Sequence, residues 1–459
     1  MPKTPFLTAP LKTDKMPPGI PYIIGNEAAE RFNFYGLKAI LVIYMTKYLL
    51  DASGALAPMS ENDANKWYHL FVGLNYTFPV AGAILADAFW GKYRTVFWIS
   101  LIYCAGGLVL AAMHTRLGLA LGLSLIALGA GGIKPCVASN VGDQFGPGNQ
   151  HLVSKAFGWF YFAINFGSFF SIWFVPKFLE WWGPGVAFAV PAVLMLLATF
   201  IFWLGRYKFV HIPPKGRSFL RDTFNRESLG TMGRLALIFA FLIPFWALWD
   251  QSGGEWVLQA DKMTRTVFGF EILASQLQAV NAIMILAFIP LFQYVIYPGV
   301  GKFWAMTPLR KIGLGIFTIG LSFVVSAWIQ AKIDAGFKPN ILWQLPAFAL
   351  LSAGEVLASI TALEFAYTQA PKHLKAIVQA IFYLSISGGN YFTSAVHWFI
   401  ENPDGSLKLQ GPAYYYFFAA LSIVAAVVFA FVALRYREVS YVQDEPPVPP
   451  TELETESAT

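Results

Sequence analysis

Four ionisable side chains fall inside the first long apolar stretch, GNEAAERFNFYGLKAILVIYMTKYLL: Glu27, Glu30, Arg31 and Lys38. Charges at membrane depth cost about 2.5–3.5 kcal/mol each on insertion scales and persist where they face a protein interior or a wet cavity with partners. At helical spacing Glu27, Arg31 and Lys38 fall within roughly 40° of one another, with Glu30 on the flank. One face of this helix therefore carries a mixed row of carboxylates and cations. Such a row suits a substrate or ion pathway; the plainer alternative is an ion-pair row that holds helices together. Further polar chemistry is spread through later apolar runs: His69, Lys134, Asp250 and Glu355.

The elements that must hold these residues are membrane spans. The chain has 459 residues, 56% of them hydrophobic, 17% aromatic and 13% charged, with a mean hydropathy of +0.54. That composition excludes the soluble classes. About twelve stretches have the length of a spanning helix: 22–50, 66–90, 94–113, 117–140, 153–175, 185–204, 231–258, 274–296, 308–332, 342–369, 376–400 and 412–434. Residues 1–21 form a polar lead-in without an apolar core, so the first span is expected to act as the insertion signal. The basic, Pro/Gly-broken stretch 206–230 reads as a linker between two six-helix halves, 22–205 and 231–436. Residues 437–459 are acidic and Pro-rich and are expected to be disordered. That tail has basic segments near Lys92 and in 206–230 as a conceivable dock, with a solvated tail as the plainer reading.

Lys and Arg counts set the orientation. With both termini inside, cytoplasmic segments hold about 20 basic residues and outer loops about eight. Lys92, Arg94, the linker, Lys302, Arg310, Lys311, Lys372, Lys375, Arg435 and Arg437 then lie inside. The net charge of +6 reports this bias rather than affinity for nucleic acid. Trp67/Tyr68 and Trp181/Trp182 are placed as interfacial aromatics. Cys104 and Cys136 lie in apolar runs, offer no metal spacing and read as small buried hydrophobes.

Several motifs carry a family resemblance. GAILADAFWGKYR, with Gly82, Asp87, Gly91, Lys92 and Arg94, resembles the short cytoplasmic loop signature of the major facilitator superfamily. EAAERF resembles the ExxER motif of the proton-dependent oligopeptide transporter family, and FYFAINFGSFF (160–170) its fifth-helix signature. GAGGIKPCV places Lys134 at that family's fourth-helix lysine. PFWALWDQSGGEWVLQADKM resembles its seventh helix, and GEVLASITALEFAYTQAP its tenth. The likeness runs from about residue 22 to 436, with several stretches close to the animal intestinal and renal peptide carriers. Departures are Phe34 for a Tyr, Lys38 for an Arg, Gln293 for an Asp that would have faced Arg234, and Ala362 for a Gly. Lysine lacks the guanidinium fork, so carboxylate clamping at Lys38 is looser. The resemblance implies an all-α major facilitator fold of twelve helices, with no extra inserted helix pair and no large outer domain.

A dipeptide, the cargo the family implies, is a zwitterion. It needs cations at one end and a carboxylate at the other. Arg31, Lys38 and Lys134 in the first half and Glu355 in the second have that polarity. Glu355 is assigned to the substrate ammonium, with Ser359 and Ala362 on its helical face and Asn281 as a neutral helper. Asn165 suits the peptide amide, while Tyr35, Tyr44, Tyr76 and Trp246 offer aromatic walls. A carboxylate beside Arg31 gains a proton when the arginine is drawn away by the substrate carboxylate. Proton candidates are thus Glu27, Glu30, Asp250 and Glu355, joined by His69, which matches a second-helix histidine of animal carriers. Asp250 could pair with a cation at an outer gate, and Asp87, Lys92, Arg94 and Glu364 are assigned to gates or loops.

The reading is a proton-coupled symporter of di- and tripeptides, and of peptide-like drugs, working by alternating access as a monomer in a bacterial inner membrane. The proton is the coupling ion and no other cofactor is expected. The same fold carrying nitrate or amino acids is the alternative. A membrane enzyme is disfavoured because no HExxH, GxSxG or paired intramembrane Asp set occurs, and a channel because no filter loop or ring of like residues does.

Overall fold

The computed structural model describes residues 6–214, 216, 225–369 and 374–436. The acidic tail, Lys372 and Arg437 lie outside the described residues, as does most of the second half of the linker.

Helix starts follow local capping chemistry. α1 (Ile20–Lys47) is followed by α2 (Glu61–Ile84), whose cap Ser60 accepts from the Asp63 amide at 3.1 Å. α2 continues through a π turn, Leu85–Trp90, to Gly91 at φ +78°, where α3 (Lys92–Ala112) begins. Glycine tolerates that left-handed φ, so the chain can turn here in one residue. Thr115 caps α4 (Arg116–Asp143) by accepting from Gly118 N at 3.2 Å.

α5 runs from Val153 to Leu204 as one 52-residue stretch broken only at Gly183, φ +77°. Sequence reading ends the first span there at residue 175; helix instead continues through Trp182, directly before the break. In the second part of the chain, α6 (Arg226–Ala240), α7 (Leu242–Trp249) and α8 (Glu255–Asp261) follow, with a 3₁₀ turn at Asp250–Gly253. The expected single span 231–258 is therefore bent, by 46° between Ser228–Ala240 and Leu242–Asp261. The remaining helices are α9 (Ala279–Leu291), α10 (Tyr297–Gly301), α11 (Pro308–Asp334), α12 (Leu345–Glu355), α13 (Thr361–Thr368), α14 (Lys375–Phe399) and α15 (Pro412–Ala433).

One departure from an all-helical chain is a small antiparallel hairpin, β1 (Thr266–Val267) with β2 (Phe270–Glu271). Phe268 and Gly269, both at positive φ, form its turn.

Among the described residues eight helices are long and apolar enough to cross a membrane, or nine with the bent pair. α1 also has the length but carries five charged residues, Glu27, Glu30, Arg31, Lys38 and Lys47, and α14 has the length with a more polar sequence. With α5 divided at Gly183, the arrangement is consistent with twelve crossings.

The chain separates into two compact units, Met1–Asp222 with Ser275–Ala279, and Thr223–Ala274 with Val280–Thr459. In the first, α1 packs on α5, α3 on α4 and α5, and α2 on α4. Membrane helices associate by close packing and not by expulsion of water, which favours small residues at the contact. At Gly82 of α2 an added Cβ would stand 1.9 Å from the Gly131 carbonyl oxygen of α4, so only glycine fits. In the second unit α11 packs on α12 and α15, and α7 on α14. Cys104 and Cys136 are buried free thiols. Trp181 and Trp182 are 59% and 60% exposed, as membrane-surface aromatics would be. Tyr68 departs from that expectation: it is fully buried while Trp67 is exposed.

Candidate functional site

The first unit holds a buried charge cluster on α1. Arg31 Nε lies 2.7 Å from Glu27 Oε1 and 3.2 Å from Glu30 Oε2. Both glutamates are buried, Glu30 completely. Glu30 thus shares the guanidinium fully, although ideal helical spacing places it on the flank; a long arginine side chain spans both neighbours. Two carboxylates therefore share one guanidinium. The second oxygen of Glu27 accepts no hydrogen bond among the described residues.

Lys134 of α4 is buried beside this cluster. Its Nζ donates to Asn75 Oδ1 of α2 and lies 3.8 Å from the Phe34 ring centroid and 4.5 Å from that of Tyr76. A neutral amide and two ring faces thus hold the Lys134 amine. It feels the charges of Glu27, Glu30, Arg31 and Lys38. Lys38 is buried on the same helix as Arg31. Tyr35 packs edge-on against Phe34 and joins a small apolar cluster with Ala39, Ile172 and Ala279.

Other assigned residues of this unit stand apart. Tyr44 is buried edge-on against Phe188 at 4.9 Å. Thirteen residues beyond Arg31, it is about 20 Å along the helix. His69 is fully buried, its ring 4.9 Å from Tyr68. Asn165 Nδ2 donates to the Tyr161 carbonyl of its own helix at 2.8 Å, which leaves its oxygen as the outward group. Asp87 sits in the π turn after α2. Lys92 pairs with Asp143 at 2.7 Å, and Arg94 is exposed nearby.

The second unit holds a carboxylate held by neutral donors. Glu355, at the end of α12, accepts at Oε2 from Trp249 Nε1 at 2.8 Å and from Asn281 Nδ2 at 3.0 Å. Asn281 Nδ2 also lies 3.0 Å from Ser352 Oγ. Asn281 is thus hydrogen-bonded directly to Glu355. Immediately after Glu355 the helix widens into a π turn, Val356–Ile360. The π turn changes the register after Glu355: Ser359 is half-buried like Glu355, whereas Ala362 is fully buried.

Asp250 is buried and accepts from Asn390 Nδ2 at 2.6 Å. Trp246 is packed against Phe245, Trp249 and Phe382. Glu364 is exposed on α13, and Arg234 is exposed with its guanidinium 3.3 Å from Thr231 Oγ1.

Asn75, Trp249, Ser352, Asn390 and Asp143 escaped the sequence reading. Asn75 and Asn390 did leave a signal, since an amide inside an apolar span needs a partner. Trp249 is hidden by its neighbour Trp246, because either indole could serve as the wall.

Long apolar helices that carry buried, partnered charges define a membrane-spanning protein. A model of the POT family matches residues 93–229 and 223–415. The chain belongs to the POT family. It is 36% identical over 365 residues to "Peptide transporter family 1" of Drosophila melanogaster, covering 69% of this chain and 48% of that protein. Against human "Solute carrier family 15 member 1" the figures are 32% over 381 residues, 69% and 52%. The chain thus spans about half the length of the curated relatives it matches.

Solved structures match over almost their whole length. The POT family transporter PepTSo superposes with a TM-score of 0.84 at 36% identity, covering 92% of this chain and 99% of that one. An auto-inhibited POT family peptide transporter gives 0.83 at 34%, with 94% and 99% covered. The helical architecture is that of these major facilitator transporters.

Proposed function

We propose that this protein is a proton-coupled symporter that imports di- and tripeptides by alternating access. The observation that carries the reading is the buried triad in which Arg31 is shared by Glu27 and Glu30. A peptide carboxylate drawn to Arg31 and Lys134 competes with those glutamates for the guanidinium. A glutamate that loses its counter-charge in a dry site takes up a proton, because burial then disfavours its charged form. Binding of cargo and binding of a proton are coupled in this way without covalent chemistry. Glu355, held by Trp249 and Asn281, offers the opposite charge for the peptide ammonium. A simple anion such as nitrate has no use for that carboxylate, which favours peptides over it.

Tyr35 and Tyr76 serve as walls near the cationic group, and Trp246 near the anionic one. Asn165 takes the peptide amide through its oxygen. Lys38 and Ser359 complete the substrate set. His69 and Asp250 are secondary proton carriers, and Asp87, Lys92, Arg94 and Glu364 serve gates and loops. The protein acts as a monomer, not an enzyme, without a cofactor beyond the proton, in a bacterial inner membrane with both termini cytoplasmic. Residues 206–230 link the two six-helix halves and 437–459 form a cytoplasmic tail.

The test is Glu30→Gln in liposomes. Accumulation of labelled dialanine driven by an inward proton gradient is expected to fall to the level without a gradient, while exchange of dialanine for dialanine persists. Gradient-driven accumulation equal to the wild type removes Glu30 from the coupling. Uptake of labelled nitrate or of a free amino acid, with none of dialanine, would replace the cargo and leave the fold reading untouched.

A further inference from the structure

The first unit carries an open recess of about 480 Å³ that lies outside the proposed substrate set, although its lining includes Lys92 and Arg94 of the loop after α2. It lies where three spanning stretches end, Glu61–Trp90, Lys92–Ala112 and Gln150–Tyr207. Its rim includes Trp90, Lys92, Arg94, Trp98 and Arg206, and Asp143 is the one carboxylate among its lining residues. Asp143 is already engaged by Lys92 at 2.7 Å.

Two arginines remain. Arg94 is exposed and makes no hydrogen bond or ion pair with the described residues. Arg206 lies over the Trp203 ring, its guanidinium carbon 3.8 Å from the centroid, and donates to the Trp203 carbonyl at 3.0 Å. That contact holds the guanidinium and leaves the rest of its donor fork for another acceptor. Phe89, Trp90 and Trp98 beside them are 57%, 44% and 55% exposed, the amphipathic rings that settle at the headgroup level of a bilayer. The chain floor is ordered: Phe6 stacks on His211 at 4.3 Å, and the His211 amide donates to the Leu7 carbonyl at 2.7 Å.

We propose that this recess binds the phosphodiester headgroup of an anionic phospholipid, with Arg94 and Arg206 on the phosphate and the exposed aromatics against the glycerol and upper acyl chains. Guanidinium forks match phosphate oxygens in pairs, and basic pockets at the ends of membrane helices recognise acidic headgroups. A lipid, rather than free phosphate, is the occupant because the recess opens among membrane-facing rings at the end of the spans. A zwitterionic headgroup brings its own cation and leaves the charge of the two arginines unmet.

The experiment places purified full-length protein in nanodiscs of phosphatidylcholine with a minority of phosphatidylglycerol, then counts retained lipids by native mass spectrometry. Phosphatidylglycerol is expected to be enriched on the wild type. Arg94→Gln with Arg206→Gln should weaken that preference about thirty-fold, and Arg94→Gln alone about five-fold. The single variant changes only an exposed, unpartnered side chain, so it decides the matter if the double variant fails to fold. Arg116→Gln, at the opposite end of α4, should leave the preference intact. Equal enrichment in the wild type and the Arg94 variant overturns the proposal. Displacement of the lipid by millimolar inorganic phosphate or glycerol phosphate also overturns it, because the site would then read a free anion. The readout is lipid retention, so it stands apart from any outcome of the transport assays.

Discussion

Replacing Glu355 with glutamine keeps the shape of the side chain and removes its charge. In the wild type, Oε2 accepts from Trp249 Nε1 at 2.8 Å and Asn281 Nδ2 at 3.0 Å. Those two donors are neutral and orient the carboxylate, which is assigned to the peptide ammonium. A hydrogen bond to a charged group contributes about 1.5–3 kcal/mol, which corresponds to about ten-fold to 150-fold in affinity. The comparison that isolates this term uses dialanine and N-acetyl-dialanine, the second lacking the ammonium. Exchange measured against both cargoes, on wild type and Glu355→Gln, forms a double-mutant cycle. The wild type should prefer the free amine by that factor. In the variant the preference should shrink to about two-fold or less, the usual limit of additivity between uncoupled changes. Thermal unfolding of each protein separates lost binding from lost fold. An unchanged preference for the free amine in Glu355→Gln refutes the assignment of Glu355 to the ammonium.

Gly82→Ala should destabilise the first unit by about 1–3 kcal/mol through overpacking, because the new methyl would stand 1.9 Å from the Gly131 carbonyl oxygen; a thermal midpoint equal to the wild type contradicts that contact. His211 gives a pH effect: burial pushes its imidazole below the ordinary histidine value, its hydrogen bond to the Arg206 carbonyl opposes this and the Arg94 charge adds to it. The docked form therefore binds fewer protons than the released form, so docking of residues 6–8 is fully present above about pH 6.5 and weakens as pH falls through that value. Hydrogen exchange at the His211 amide, corrected for intrinsic rate, should quicken on that descent, and His211→Asn should abolish the dependence; an equally steep dependence in the variant removes His211 as its source.

Much of this architecture is written in composition and period. Long apolar runs place the helices within a few residues, since a bilayer leaves backbone groups no partner but their own helix. Breaks are less visible. The helix before Gly183 runs on because Pro176, which suggests an end, is tolerated inside a membrane helix, and the true stop is a glycine at φ +77°. The π turn after Glu355 leaves no composition signal, so an α-helical period does not give the register of the residues that follow, Ala362 among them. The charges themselves were legible, because an ionisable group in an apolar run stands out. Their partners were not: Asn75 meets Lys134 and Trp249 meets Glu355 across sequence separations that only folding brings together.

Concentrative uptake is the property that separates a proton-coupled peptide symporter from the alternatives. Purified protein in sealed liposomes, given labelled dialanine and an inward proton gradient, should accumulate the peptide above its outside concentration and lose that accumulation on adding a protonophore. Uptake that only equilibrates, equally with and without the gradient, would contradict proton coupling, and no dialanine uptake by verified, folded protein would contradict the peptide cargo.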